Sequence, residues 1–510
     1  MNISNMKHEG KTNRRLWRPN TFYAVIFIAI LLLAAYLRLS ALDYETLGPG
    51  EMELYQSAND YASGNIVKSF YIFDTPPLSK YILAFLLIIA GFSESALRLL
   101  PAIFGILTVV MTYFFAKKFY NKKTAILAMT FTAFSFIHLQ MSRYVQLETV
   151  MSFLFLLVFY YFFDFVENRK KNYLLFGAAI ALGMLTKFIM LYAIASIVLI
   201  AIIYKYISVR RKPQFSITID NFLLKSLIVA VVLFFLIWPH SLVPIKTDIT
   251  LSVEFSDGPH INRLTPSIPQ LLLALGKRSS SAQLEGALSM PFGYFVFFLM
   301  KESIIFIAAF FLGLFAIIKK PKNIDKMVLL SLAIFMLLLW VQKWGFTYRY
   351  LAIVIPLIAI IAARWIDLIK TQKVATGILM IFVVVLAISA FAVHPNYIYY
   401  KNFDVLENEP ELFQSEGMKE SISYIRETCQ SVYTDSYYHF ILTPYYNNVT
   451  KYTNETKLPT CVLKGYTGLG SSSPSSENLI IDDFIKSHSC ELKKSVTKND
   501  ILLQKIYYCS

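Results

Sequence analysis

Charged residues are scarce in this chain of 510 residues. They make up 16% of the sequence, whereas soluble proteins carry about 25%, and apolar residues reach 56% with a mean hydropathy of +0.53. This composition excludes a disordered chain, a fibrous repeat and an ordinary soluble enzyme. Long apolar runs instead predict that most of the protein lies in a membrane.

Cysteine is absent from the first 428 residues. All four cysteines lie in the polar C-terminal tail, at Cys429, Cys461, Cys490 and Cys509. An even number of cysteines in such a tail indicates an oxidising, extracytoplasmic compartment and two disulfides. Three pairings are open, and free buried thiols are the alternative.

Acidic residues are outnumbered, 33 against 48 Lys and Arg, which gives a net charge of +15. Nucleic-acid binding needs a solvated basic face, but these cations stand in short clusters between apolar runs. The pattern therefore argues against a nucleic-acid partner. It is typical of membrane topology, in which cytoplasmic loops are rich in Lys and Arg.

About eleven apolar runs approach the length of roughly 20 residues that a membrane helix needs. The first follows a basic segment, residues 1–20, and is predicted to be a retained helix because no small-residue cleavage site follows it. The candidate spans are 21–39, 97–116, 124–141, 149–166, 173–187, 189–206, 222–239, 302–318, 327–341, 350–366 and 374–393.

The basic clusters predict the orientation of these spans. With a cytoplasmic N-terminus, each cluster falls on the cytoplasmic side, as the positive-inside rule requires. The membrane domain, 21–395, then has outer loops at 40–96 and 240–301, in which 81–91 and 291–300 are expected to lie as interfacial helices. The tail, 396–510, is placed outside, where two glycosylation sequons, 448–450 and 454–456, would also fit.

The tail is predicted to form a small α/β domain. Residues 417–428 have helical composition, and 431–435 and 479–482 are predicted strands. A hairpin is expected over 490–509, turning at 499–500, and 468–476 is a loop rich in Gly and Ser.

Two acidic residues next to predicted spans are candidates for chemistry. Glu51 follows the turn Pro49-Gly50, and Glu148 follows Arg143 at the start of a span. Carboxylates at such positions can take a proton from a hydroxyl. The alternatives are a helix-capping acid at Glu51 and a structural ion pair between Arg143 and Glu148.

Cations also recur on the predicted outer face, against the positive-inside trend. Lys80 lies in the first turn of a helix that starts after Pro76-Pro77, where a helix N-terminus and a lysine together can hold a phosphate. A snorkelling lysine is the alternative. Further outer cations are Arg98, Lys187 and Arg349.

In this order the residues resemble a family. Pro49-Gly50-Glu51, Pro76-Pro77-Leu78, Arg98-Leu99-Leu100-Pro101, Ser142-Arg143 to Glu148, Leu185-Thr186-Lys187 and Arg349-Tyr350 resemble the polyprenyl-phosphate-dependent membrane glycosyltransferases of the GT-C fold, in particular the group of protein O-mannosyltransferases and aminoarabinose transferases. The chain departs from that pattern in three places: Gly50 stands where the family has Asp, Glu148 also replaces an Asp, and Thr75 replaces a His.

The resemblance implies an α-helical polytopic GT-C protein with a small extracytoplasmic α/β domain. Its donor would be a polyprenyl-phosphate sugar in the membrane lipid, and its acceptor an extracytoplasmic protein, glycan or lipid. A divalent cation remains open as a cofactor. The implied roles are general base or metal-associated acid for Glu51, acceptor positioning or a share in that catalytic role for Glu148, and phosphate binding for Lys80, Arg143 and Arg349. The supporting residues would be Tyr55, Asp74, Lys187, His240 and Tyr350.

The two carboxylates are then expected within about 12 Å of each other, because both must reach one acceptor hydroxyl. A transporter or flippase is one alternative function, although transporters place polar groups near mid-membrane. A catalytically inactive binding subunit is another, suggested by the missing Asp at Gly50.

Overall fold

The computed structural model describes most of the chain. The described residues are 19–64, 76–168, 170–209, 213–239, 293–341, 348–395, 397, 402, 418–434, 442, 444–446, 449–451, 460–465, 476–498 and 501–509. Asp74, His240, both sequon asparagines and residues 468–475 of the predicted loop 468–476 lie outside them.

Fifteen helices of the membrane domain are among the described residues. They are α1 (Pro19–Leu39), α2 (Pro49–Ala62), α3 (Pro77–Ala90), α4 (Glu94–Phe119), α5 (Lys122–Phe134), α6 (Phe136–Met141), α7 (Glu148–Asn168), α8 (Tyr173–Thr186), α9 (Met190–Val209), α10 (Pro213–Ile237), α11 (Gly293–Lys301), α12 (Ile304–Lys319), α13 (Asn323–Val341), α14 (Leu351–Ala363) and α15 (Gln372–Val393). Two 3₁₀ turns, Tyr348–Tyr350 and Arg364–Leu368, flank α14.

Seven of these helices contain a stretch long and apolar enough to cross a membrane. These stretches are Thr21–Leu39, Glu94–Phe119, Glu148–Asn168, Thr218–Ile237, Asn323–Trp340, Leu351–Leu368 and Gln372–Val393. The predicted spans at 173–187, 189–206 and 302–318 fall on shorter apolar helices. The protein is therefore a multi-pass membrane protein, and the total of eleven spans stays a prediction.

The predicted continuous span 124–141 is wrong, because the helix breaks at Ser135 between α5 and α6. A break inside an apolar region leaves backbone groups that need polar partners. Arg38, fully buried, donates to the carbonyls of Thr132 and Ala133 at the end of α5. Glu302 accepts the backbone N–H groups of Phe136 and Ile137 at the start of α6, together with the Ser135 hydroxyl. Two charges from distant parts of the chain therefore stabilise the break.

The helix bundle has two chemically distinct ends. Helix α14 joins Tyr350 at one end to Arg364 at the other, and its 13 residues span about 20 Å. Helix α7 begins with Glu148, at the same end of the bundle as Tyr350. We call these two ends the Glu148 end and the Arg364 end.

The tail forms a small α/β unit, as predicted. Its helices are α16 (Met418–Thr428) and α17 (Ser476–Ser487), and its strands are β1 (Val432–Thr434), β2 (Val449–Lys451), β3 (Thr460–Gly465), β4 (Glu491–Lys498) and β5 (Ile501–Cys509). The sheet order is β2-β1-β3-β5-β4, with β1 parallel to β2 and β3, and with β5 antiparallel to β3 and β4.

Three of the tail predictions are confirmed and one is wrong. The helix at 417–428, the strand at 431–435 and the hairpin at 490–509 are present as α16, β1 and β4–β5. The predicted strand 479–482 is instead part of α17. Ile481 and Phe484 of this helix, three positions apart, pack together against Val462 of the sheet. Residues at that spacing share a helix face, so contact with the sheet favours a helix for an apolar run that local composition assigns to a strand.

All four cysteines are paired in this domain. Cys429 at the end of α16 bonds to Cys461 on β3, and Cys490 bonds to Cys509 across the base of the hairpin. The first disulfide lies in a buried cluster with Leu442 and Leu463.

The tail domain also contacts the loop after α1. The Tyr445 hydroxyl accepts a hydrogen bond from the backbone N–H of Leu47, at 3.0 Å, and its ring packs edge-on against Phe92. Burial raises the pKa of Tyr445, so the side chain stays neutral.

Candidate active site

The first carboxylate, Glu51, lies in the first turn of α2. Its Oε2 accepts the backbone N–H of Gly48 at 2.8 Å, which closes a capping interaction at the helix start. The side chain is 1% exposed. Pro49 supports the same start, because proline is well accommodated in the first helical turn.

Arg98 neutralises Glu51 through two parallel hydrogen bonds. Its Nε lies 2.9 Å from Oε1 and its Nη2 lies 2.8 Å from Oε2. The other N–H groups of Arg98 bind the carbonyls of Leu42, Glu45 and Thr46, so that the guanidinium uses all five of its donors. Through these contacts Arg98 holds the turn before α2 in place, and the buried ion pair with Glu51 lies at its centre.

Glu51 has no acceptor capacity left for a substrate proton. Oε1 also accepts the backbone N–H of Val145 at 2.6 Å, so the four lone-pair sites of the carboxylate are filled. This arrangement does not fit the general-base role that the sequence suggests. Glu51 instead connects the first loop to the segment just before Glu148.

Glu148, the second carboxylate, is fully buried and differently placed. Its Oε1 lies 3.1 Å from Lys187 Nζ and 3.4 Å from Arg349 Nε. No described residue donates a hydrogen bond to its Oε2. A buried carboxylate oxygen without a donor is unusual in a folded protein, so this oxygen can accept a hydrogen bond from a substrate.

The two cations beside Glu148 come from different helices. Lys187 is the C-terminal cap of α8, and Arg349 lies in the turn before α14. Both lie near the ring of Tyr350, with Lys187 Nζ at 5.0 Å and the Arg349 guanidinium carbon at 5.7 Å from its centroid. The Arg349 side chain is 30% exposed, and a ligand can therefore reach it.

Gln146 links the two carboxylates and is a site residue that the sequence prediction missed. Arg349 Nη1 donates to Gln146 Oε1 at 2.9 Å. A Cβ placed on Gly50 would lie 2.6 Å from Gln146 Nε2 and 3.8 Å from Arg349 Nη1. Glu51 and Glu148 therefore belong to one contact network. Nothing in the residue type of Gln146 marks it as functional, and only its position between two motif residues hints at a role.

The structure places Arg143 at the end of α1, and its phosphate-binding role stays a prediction. Its guanidinium donates to the carbonyls of Leu37, Ser40 and Ala41, at 2.9, 2.6 and 2.6 Å, where α1 ends. A cation there satisfies the free carbonyls and the negative end of the helix dipole. Arg143 therefore stabilises the turn after α1.

The structure describes some of the remaining predicted site residues and not others. Lys80 is 3% exposed in the first turn of α3, and its phosphate-binding role stays a prediction. Tyr55 on α2 packs edge-on against Phe92 at 4.9 Å, and burial raises its pKa. Asp74 and His240 lie outside the described residues. Among the residues that are described, no three His, Cys, Asp or Glu side chains come together as metal ligands.

Comparison with known proteins identifies the fold in which these residues are arranged. A family model described as dolichyl-phosphate-mannose-protein mannosyltransferase matches residues 74–238. The structure of ArnT from Cupriavidus metallidurans bound to undecaprenyl phosphate matches with a TM-score of 0.57 at 13% identity, over 95% of this chain and 98% of that chain. The apo structure of that protein matches equally well, with a TM-score of 0.57 at 12% identity over 96% and 98% of the two chains.

The chain has the GT-C fold. An uncharacterized protein of Aquifex aeolicus (strain VF5) is 30% identical over 174 residues, which are 32% of this chain and 34% of that protein. The match thus spans about a third of that relative's length. The family match over residues 74–238 agrees with the resemblance to polyprenyl-phosphate-dependent membrane glycosyltransferases, and the solved structures show the fold alone. The family match contains Arg98, Glu148 and Lys187, and the fold brings Arg349, which lies outside the match, to Glu148.

Proposed function

We propose that this protein is an integral membrane glycosyltransferase, which moves a sugar from a polyprenyl phosphate to an extracytoplasmic protein, glycan or lipid. One observation carries the proposal: the buried Glu148 has one oxygen without a described donor and lies between Lys187 and Arg349. The GT-C fold and the family match support the same class of reaction.

In the proposed reaction, Glu148 accepts a proton, and Lys187 and Arg349 balance a negative charge. A nucleophilic hydroxyl of the acceptor forms a bond to the anomeric carbon of the sugar, and the bond from that carbon to the phosphate oxygen breaks. The electron pair leaves with the polyprenyl phosphate, and the proton of the hydroxyl passes to Glu148 Oε2. Arg349 and Lys187 balance the negative charge that develops on the leaving phosphate.

Other residues act by position in this proposal. Glu51 and Arg98 hold the first loop against Val145, which fixes the segment that leads into Glu148. Lys80 is retained as a candidate phosphate ligand, because a lysine in the first turn of a helix adds to the charge of its free N–H groups. The ring of Tyr350 lies 5.0 Å from Lys187 Nζ and 5.7 Å from the Arg349 guanidinium carbon, and it helps to position both cations.

The proposed orientation puts the Glu148 end and the tail domain outside the cell and the N-terminus inside. Basic residues support it, because Lys122, Lys123, Lys320 and Lys322 lie where helices meet at the Arg364 end. Cytoplasmic loops carry such an excess of lysine and arginine. The paired cysteines of the tail domain also fit an oxidising compartment.

A transfer assay tests the proposal. The purified full chain is incubated with radiolabelled sugars on polyprenyl phosphate and with protein, glycan or lipid acceptors. We expect transfer that falls by about 10²-fold or more in Glu148→Gln, the usual scale for an acid–base group. Glu167→Gln is the matched control, because Glu167 is an exposed acid near the other end of α7, and it should leave transfer unchanged.

Gly50 favours a second candidate function, a binding subunit without catalysis. The family carries a carboxylate at this position, and Gly50 supplies none. Donor binding that depends on Arg349, without transfer of any tested sugar, would support the binding subunit over the enzyme. Movement of the intact lipid-linked sugar across vesicles would instead indicate a flippase.

A further inference from the structure

A basic cavity of about 610 Å³ lies at the Arg364 end of the bundle. Five cationic residues, Lys122, Lys123, Lys320, Lys322 and Arg364, line it, whereas Asp367 is the one acid among the described lining residues. It is separated from the Glu148 site by the length of α14, about 20 Å. The cavity is therefore distinct from the proposed active site.

The acids near this cavity are already neutralised. Asp367 accepts hydrogen bonds from Asn121 and Thr124 and pairs with Arg364 and Lys322. Asp325, on the far side of Arg364, accepts from that arginine at 2.8 and 3.1 Å and from the Tyr120 hydroxyl.

Two of the lysines have no described acid as a partner. Of the carboxylates that the structure describes, none lies within ion-pairing distance of Lys123 or Lys320. The cavity consequently has an excess of positive charge.

Helix geometry adds to this charge. Helix α5 starts at Lys122 and α15 starts at Gln372, and both residues line the cavity. Free N–H groups and the positive end of the helix dipole at such starts attract anions. The Asn121 side chain already accepts from the N–H groups of Lys123 and Thr124, so the dipole rather than the free N–H groups acts at α5.

Two lining residues of the cavity belong to helices that expose apolar surface. Tyr23 on α1 and Gln372 on α15 are both lining residues and are joined by a hydrogen bond of 2.7 Å. Beyond them the two helices expose large apolar side chains, such as Ile28, Leu32 and Ile381, each more than half exposed. A charged cavity beside an apolar surface matches a molecule with a phosphate head and a hydrocarbon tail.

We propose that this cavity binds a phosphate group, carried by an anionic lipid of the adjacent membrane surface or by a small soluble phosphate. The lysines at 123 and 320 contribute the charge that no described acid balances, and α1 and α15 form the surface along which acyl chains lie in the lipid case. The site is independent of sugar transfer at Glu148.

Binding of fluorescent phosphatidylglycerol to the purified full chain in detergent tests this proposal. We expect the double variant Lys123→Gln/Lys320→Gln to bind roughly 30-fold more weakly, the scale for two lysines facing an anionic headgroup. The matched control is Lys170→Gln/Lys171→Gln, which removes two exposed lysines at the same end of the bundle but outside the cavity. It should change binding by less than about twofold.

Competition then identifies the source of the phosphate. Displacement of the fluorescent lipid by unlabelled phosphatidylglycerol, but not by millimolar inorganic phosphate, assigns a lipid, and displacement by inorganic phosphate assigns a soluble anion. Equal weakening by the two double variants would overturn the proposal, because diffuse attraction to any basic surface would then explain binding. Lys123→Arg/Lys320→Arg keeps the charge and should restore binding, which separates loss of the site from loss of folding.

Discussion

Removing the charge of Glu51 should lower the stability of the fold, so its effect should not be limited to catalysis. In Glu51→Gln the fully buried Arg98 loses its counter-ion, and an amide nitrogen faces one of the donors that now reach the carboxylate. Breaking a buried ion pair by removing one partner costs about 3–5 kcal/mol. We therefore expect the free energy of unfolding to fall by about this amount, as measured by denaturant unfolding of the purified chain in detergent.

Glu94→Gln is the matched control for this experiment. Glu94 lies four residues before Arg98, in the first turn of α4, and is only half-buried. Its loss removes a favourable interaction with the helix dipole, worth about 0.3–1 kcal/mol. The difference between the two variants isolates the contribution of the ion pair from the general effect of an acid-to-amide change.

A double variant tests whether the uncompensated charge of Arg98 causes the loss of stability. In Glu51→Gln/Arg98→Gln the uncompensated charge is gone, and part of the stability should return. The carbonyls of Leu42, Glu45 and Thr46 still lose their donor, so recovery will be incomplete. The reasoning is refuted by a Glu51→Gln protein that is as stable as the wild type but inactive, since Glu51 would then be a catalytic base after all.

Three further predictions concern the donor, the tail and the orientation. Arg349→Lys keeps the charge but loses the planar fork that reaches Gln146 and Glu148, so the KM for the lipid donor should rise more than kcat falls; a change in kcat alone would contradict a donor-binding role. Mass spectrometry of the native protein should find Cys429 bonded to Cys461, and Cys461→Ser should lower the stability of the tail domain by about 2–4 kcal/mol; four free thiols would contradict it. Impermeant reagents added outside intact cells should label residues of the tail domain and miss cysteines introduced at 319–326, and the reverse pattern would invert the proposed orientation.

Local sequence patterns determine the membrane helices, the hairpin and the presence of disulfides in this protein. Apolar runs of spanning length predict membrane helices, because each residue transfers to lipid largely independently of its neighbours in space. The same holds for the hairpin at 490–509, whose two strands are adjacent in sequence and need only a short turn to pair. The concentration of cysteines in the tail likewise indicates disulfides before any contact is known.

Only the tertiary structure decides what the buried charges do. Residue type makes Glu51 and Glu148 equivalent candidates, but Glu51 meets Arg98, 47 positions away, and the N–H of Val145, 94 positions away, whereas Glu148 keeps an oxygen without a described donor. Arg143 is equally ambiguous until the end of α1 reaches it. The break at Ser135 depends on Arg38 and Glu302, which lie far from it in sequence. A buried charge must find its partners in three dimensions, and hydropathy along the chain carries no information about which distant residue supplies them.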